Sequence, residues 1–166
     1  MIKPLSFYLS LFVMLFITAS CSLNAKKQTV GETARILIAE TRNSYLARID
    51  TGARITSIHA TNITVKDGLA EKKDNVGKLV SFVTENENQQ QSKVTATIAE
   101  VAKVRNAQGV EYRYVVNLNL LWKGVNKTVL VNLRDRSAMT YKLLIGRNWL
   151  ADDFVVDVNQ SEGVIE

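Results

Sequence analysis

The residues best placed to do chemistry are Asp50-Thr51-Gly52-Ala53, which end the apolar run Tyr45-Leu46-Ala47-Arg48-Ile49. An aspartate leaving a strand just ahead of a glycine has two readings. It is an ordinary turn, in which the carboxylate caps backbone amides and the glycine takes a positive φ. Or it is a carboxylate offered at a strand end for acid–base work. A bare D-T-G does not separate the two. About 90 residues later comes Lys142-Leu143-Leu144-Ile145-Gly146-Arg147-Asn148, an apolar run, a glycine and the start of a short helix. Taken alone, that segment is a core strand with a glycine turn.

Other chemistries fall away by count. One His and one Cys in 166 residues cannot build a Cys₄ or Cys₂His₂ zinc site or a two-histidine H-E-x-x-H, and they leave little room for a Cys–His catalytic pair. Neither G-x-x-x-x-G-K-[ST] nor G-x-G-x-x-G occurs, so no loop is expected to cradle a nucleotide phosphate. Neither metal nor cofactor is expected. The net charge of +5 is mild and spread along the chain. It gives no basic stripe interleaved with aromatics, so nucleic acid is not an expected partner.

The elements that must hold Asp50 read as strands. Ala34, Ile36 and Ile38 share one face of Thr33–Glu40. Tyr112, Tyr114, Val116, Leu118, Leu120 and Trp122 share another, opposite Arg113, Asn117 and Asn119, and Val129, Val131 and Leu133 repeat the pattern. Period-two alternation rich in Val, Ile, Tyr and Thr predicts β-structure. Turns are expected at Lys66–Gly68, Asn106–Gly109 and Lys123–Gly124. Short strands at this spacing imply an all-β, antiparallel barrel or sandwich. The one helix expected is short, over Arg147 to Asp152. The polar stretch Glu85–Ser92 reads as a mobile hairpin tip.

The N-terminus carries a different signal. Lys3 precedes an almost wholly apolar run from Leu5 to Ile17, too short to span a bilayer, and then Thr18-Ala19-Ser20-Cys21. This arrangement resembles a bacterial lipobox. It implies a lipoprotein signal peptide over residues 1–20, lipidation of Cys21 and a polar tether over 21–32. The expected location is the periplasmic face of a bacterial cell envelope, with Ser22 favouring the outer membrane.

Together, the two central motifs resemble the signatures of retropepsin-like aspartic proteases, and most closely a bacterial branch labelled ATP-dependent zinc proteases. The resemblance rests on Ala47–Ala53, Ser57, His59-Ala60, Asp135-Arg136-Ser137-Ala138-Met139, Leu144-Ile145-Gly146-Arg147 and Phe154-Val155-Val156-Asp157. It implies one domain over 33–166, a closed retropepsin-like barrel. The label's zinc and ATP find no ligands or phosphate loop here.

What the resemblance implies is peptide hydrolysis by paired carboxylates. Two carboxylates a hydrogen bond apart share one proton, so one takes a proton from water while the other polarises the amide. One D-T-G per chain then requires a homodimer with Asp50 from each copy. Thr51 is expected to bond across the dimer, Gly52 to let the loops approach and Ala53 to leave room beneath the dyad. Gly146 would let the late strand pass behind the active loop, with Arg147 beside it. Arg48 is expected to share a face with Asp50 and favour its charged form, more so than Arg54. His59 is read as a support or substrate-side hydrogen-bonder. Asp135 and Arg136 are expected to form a buried ion pair, and Asp157 to be structural. The hairpin from Leu79 to Val104 is the expected flap over a peptide substrate. The rival reading is a non-catalytic envelope lipoprotein that binds a peptide or partner in the same groove.

Overall fold

Ala34, Ile36 and Ile38 are fully buried while Arg35, Leu37 and Ala39 between and after them are exposed, as alternation requires of a strand with one face in a core. The computed structural model describes residues 26–106 and 109–165. The expected signal peptide, Cys21 and the first part of the tether lie outside the described residues. So do residues 107 and 108 of the turn expected at Asn106–Gly109.

The strands are β1 (Gln28–Val30), β2 (Thr33–Ile38), β3 (Asn43–Ile49), β4 (Thr56–His59), β5 (Thr61–Val65), β6 (Leu79–Glu85), β7 (Gln91–Asn106), β8 (Gly109–Trp122), β9 (Val125–Arg134), β10 (Leu143–Ile145) and β11 (Phe154–Val156). A 3-10 turn covers Lys72–Asn75, and the one α-helix, α1, is Arg147–Leu150. The order β2-β3-β10-β4-β9-β8 forms a ring. Its seam is the pairing of β8 back to β2 through Leu37 with Leu121 and Ile38 with Leu120. The fold is therefore all-β, as expected, but not purely antiparallel, because β3–β10, β4–β9 and β1–β11 pair in parallel. The barrel is a six-strand ring with a short seam, and β7, β6 and β5 extend from it as an arm.

Tyr45, Ile36, Ile38, Ile58, Leu118, Leu120, Leu143 and Ile145 fill the ring's interior. Each large side chain so buried contributes about 1.5–3 kcal/mol. Trp149 fixes α1 to the ring by stacking on Phe154 at 4.0 Å, and Trp122 packs edge-on against both.

Two expectations need correction. The tether expected over 21–32 ends earlier, because Gln28–Val30 form β1, parallel to β11, with Val30 fully buried. Three residues are too few to show a period, so composition alone hides this strand. Gly31 is needed next to it, because a Cβ there would lie 2.3 Å from the Gln160 carbonyl oxygen.

The second correction concerns the flap. The β6–β7 tip is docked, since Asn86 is 2% exposed and its Nδ2 donates to the Ser44 carbonyl and to Gln90 Oε1. Its Oδ1 accepts from the Asn88 and Gln90 amides. Glu87 accepts from the Leu46 amide at 2.9 Å and from Arg35 at 2.8 Å. Ser44 lies six residues before Asp50 on an extended chain, so this tip sits about 20 Å from the aspartate.

Replacing Asn86 with Ala should cost about 1–3 kcal/mol in denaturant unfolding, because four hydrogen-bonded groups lose their hub. Amide exchange over 86–90 should accelerate. Unchanged exchange would mean that the tip is held by something else.

Candidate active site

Strand β10 lies between β3, which it parallels, and β4, which it opposes. The chain leaving β3 must therefore cross the end of β10 before it can enter β4. That crossing is the loop 50–55. The Asp50 amide donates to the Ile145 carbonyl at 2.9 Å, the Arg147 amide to the Ala53 carbonyl at 2.8 Å and the Asn148 amide to the Arg54 carbonyl at 3.3 Å. Gly146 occupies the crossing point. A Cβ there would stand 2.7 Å from the Ile55 carbonyl carbon and 2.9 Å from the Thr56 nitrogen.

The side chains tighten the same junction. Thr56 Oγ1 accepts from the Gly146 amide at 3.2 Å and donates to Asn148 Oδ1 at 2.9 Å, which also accepts from the Thr56 amide. Asn148 Nδ2 donates to the Leu130 carbonyl at 2.7 Å. Arg147 reaches the top of the loop, where its Nη1 donates to the carbonyls of Thr51 and Gly52 at 2.9 and 3.0 Å. Within the loop, Asp50 Oδ1 accepts from the Gly52 amide at 2.9 Å and the Ala53 amide at 3.1 Å. Oδ2 takes no hydrogen bond from the described residues. One carboxylate oxygen is anchored by two loop amides and the other is not.

Asp50 opens into a cavity of about 390 Å³. Its lining includes six cations, Arg54, Lys103, Arg105, Arg113, Arg134 and Arg136, and Asp50 is the single carboxylate. Lys103 and Arg105 come from the far end of β7, so that strand shares the cavity's wall with the aspartate. Buried Arg113 makes a two-pronged pair with Glu111 at 2.5 and 2.7 Å and touches Asn132 Oδ1 at 3.4 Å. Arg113 holds the Glu111 carboxyl below the usual carboxylate range, chiefly through those hydrogen bonds. Asn132 Oδ1 also accepts from Ser57 Oγ, and its Nδ2 donates to the Thr56 carbonyl.

Arg136 stands apart. It is 7% exposed, its Nε donates to the Tyr141 carbonyl at 3.0 Å, and no described carboxylate pairs with it. Burial first, then repulsion from Arg134 and Arg113, lowers its proton affinity, while Asp50 pulls the other way. Burying an unpaired charge costs several kcal/mol. A larger cavity, about 620 Å³, shares Arg113 and Arg134 as a wall but does not contain Asp50.

The structure thus brings together Asp50, Thr51, Gly52, Ala53, Gly146, Arg147 and Arg136. It does not place Arg48 in the cavity. Arg48 is exposed and pairs with Glu32 at 2.9 Å, so the flanking cation that lines the cavity is Arg54. Nor do Asp135 and Arg136 form the expected ion pair. Asp135 is exposed and accepts from the Ser137 amide, which holds its carboxyl below the usual range. His59 is 3% exposed, and its Nδ1 accepts from the Arg136 backbone amide at 3.0 Å. Asp157 caps a turn through Asn159 and Gln160. Sequence reasoning passed over Arg113, Asn132, Arg134, Lys103 and Arg105. Asn132 inside the apolar Val129–Leu133 run was the one available signal, since a polar side chain in a core pattern needs a partner.

Comparison with known proteins adds kinship. Residues 29–165 match a family model described as RimB-like, retropepsin-like aspartic endopeptidase RimB. A probable alpha-L-glutamate ligase from Parasynechococcus marenigrum (strain WH8102) is 30% identical over 115 residues. That match spans 67% of this chain but only 23% of the ligase. The crystal structure of Lpg0085, a protein of unknown function from Legionella pneumophila, is similar with a TM-score of 0.64 at 26% identity. The similarity covers 80% of this chain and 95% of that one.

Gly146→Ala should destabilise the fold by about 1–3 kcal/mol, because the obstacle is backbone that cannot rotate away. Thermal unfolding measures it, and a variant as stable as the parent would show that the crossing is looser than described.

Proposed function

The chain belongs to the RimB-like family of retropepsin-like aspartic endopeptidases, and on that premise we propose that it cuts peptide bonds in acidic polypeptides with a water held between Asp50 and the Asp50 of a second copy. The observation that carries this reading is the state of the Asp50 carboxylate, with one oxygen fixed by two amides and the other open to a cavity. One such group per chain supplies half of a shared-proton pair, and a two-fold axis through the loops supplies the rest. The ionised member takes a proton from the water, whose oxygen bonds the carbonyl carbon. The protonated member gives its proton to the carbonyl oxygen. Collapse then breaks the C–N bond and the amine nitrogen is protonated.

The substrate class follows from charge. Even with Arg113 paired to Glu111, the cations around Asp50 leave the cavity positive, which favours glutamate- or aspartate-rich chains and repels basic ones. A relative named as a glutamate ligase handles, by its name, an acidic amino acid, which fits the same preference. In this reading residues 1–20 export the chain, and lipid on Cys21 tethers it at the periplasmic face of a bacterial envelope.

Full-length protein incubated with acidic, neutral and basic peptides should cut the acidic set preferentially. Asp50→Asn should lower that cleavage by roughly 10²–10⁴-fold. Equal cleavage by both proteins would overturn the assignment. Cys21→Ser should shift the chain from the membrane fraction to the soluble fraction, and unchanged partitioning would remove the lipid anchor.

A further inference from the structure

Arg136, which carries the cavity's buried guanidinium, has its backbone amide held by a single histidine. The Arg136 backbone amide donates to His59 Nδ1 at 3.0 Å, and Asp135 Oδ1 lies 3.7 Å from the same nitrogen. We propose that His59 positions Arg136 in the Asp50 cavity, and that proton uptake passes Nδ1 from the Arg136 amide to the Asp135 carboxylate and withdraws the guanidinium.

The logic is one of donors and acceptors. A neutral imidazole with its proton on Nε2 offers Nδ1 as an acceptor, which is what the Arg136 amide requires. A protonated ring has no acceptor left, so the amide–Nδ1 bond cannot persist. The new Nδ1–H has a carboxylate within a small movement, and that carboxylate is already ionised. The Arg136 amide, buried and now without a partner, must shift to find water or another oxygen. Its guanidinium is tied to the same loop by the Nε bond to the Tyr141 carbonyl, and Lys142 Nζ braces that loop by donating to the backbone carbonyls of Arg136 and Ser137. Movement of the amide therefore carries the guanidinium with it.

Charged groups face His59 from every neighbouring element: Glu85 on β6, Arg134 beside it on β9, and Asp135, Arg136 and Lys142 in the loop before β10. Desolvation is the largest influence and lowers the proton affinity of His59. Lys142 and Arg136 act in the same direction, and Glu85 and Asp135 oppose them. With the folded-state value depressed, the Arg136-holding arrangement is complete above the ordinary histidine value of about 6.5. It is lost as pH falls through the lower, folded value.

His59 is the only histidine in the chain, so nitrogen NMR of histidine-labelled, full-length protein reads it without ambiguity. At neutral pH, Nδ1 should carry the signature of an unprotonated acceptor. On acidification, the Arg136 amide should shift with the same midpoint as the ring. An Arg136 amide that ignores the His59 titration overturns the proposal.

The kinetic arm rests on the peptidase reading. Below the folded value, KM for an acidic peptide should rise by about tenfold per pH unit. His59→Asn, which puts an oxygen acceptor where Nδ1 stands, should abolish that rise, whereas His59→Ala should raise KM at every pH. A KM that rises with acid equally in wild type and His59→Asn also overturns the proposal. If no peptide is cut at any pH, the peptidase reading fails and the NMR result still decides the switch.

Discussion

The loop that carries Asp50 has one route, across the end of β10, and that route exists because residue 146 has no side chain. β10 fills the gap between β3 and β4, so the strand before the aspartate and the strand after it never pair directly. A Cβ at the crossing would meet backbone at 2.7 Å, a distance that no rotamer change relieves. With glycine there, Arg147 and Asn148 donate to the loop carbonyls of Ala53 and Arg54 from below, and the Gly146 amide bonds Thr56 at the start of β4. Arg147 then holds the carbonyls of Thr51 and Gly52, leaving the loop amides free to turn inward toward Asp50. The aspartate's position is therefore set by a late strand almost a hundred residues away. Such a long-range junction lets the loop be both exposed and rigid.

A second feature works against stability. Arg113, Arg134 and Arg136 crowd one cavity, and among the described residues only Arg113 has a carboxylate of its own. Repulsion among them and the burial of Arg136 both raise the cost of folding. Catalytic and recognition sites commonly keep such costs because a ligand offsets them. An acidic chain entering the cavity would supply the missing negative charge, so the same residues that burden the empty site favour its occupied form.

Much of this was legible in the sequence, for physical reasons that differ by residue. Alternation exposed β2, β8 and β9, because one face of each is buried and the other largely polar. The aspartate loop and the Gly146 segment were readable as linked motifs, although neither had meaning alone. What escaped was chiefly long-range. Arg48 and Asp50 share strand parity, but Arg48 finds Glu32 across β2 and β3, a pairing visible only once the strands are in register. Arg113, opposite the apolar face of β8, is buried against Glu111 and against Asn132 of β9, partners that the strand's own pattern does not reveal. Gln28–Val30 looked like linker because its partner, β11, lies at the other end of the chain. The Glu85–Ser92 stretch looked mobile by composition, yet Asn86 turns those polar atoms inward, where they satisfy one another.

The central claim is that two Asp50 side chains, one from each copy, share the proton that activates water. Mixing wild-type and Asp50→Asn full-length chains, with time for subunits to exchange, tests it directly. If both carboxylates are needed at each site, activity per total protein follows the square of the wild-type fraction, so an equal mixture retains about a quarter of the wild-type rate. A linear fall, leaving about half, would mean that each chain works with its own Asp50 alone and would contradict the shared-proton account.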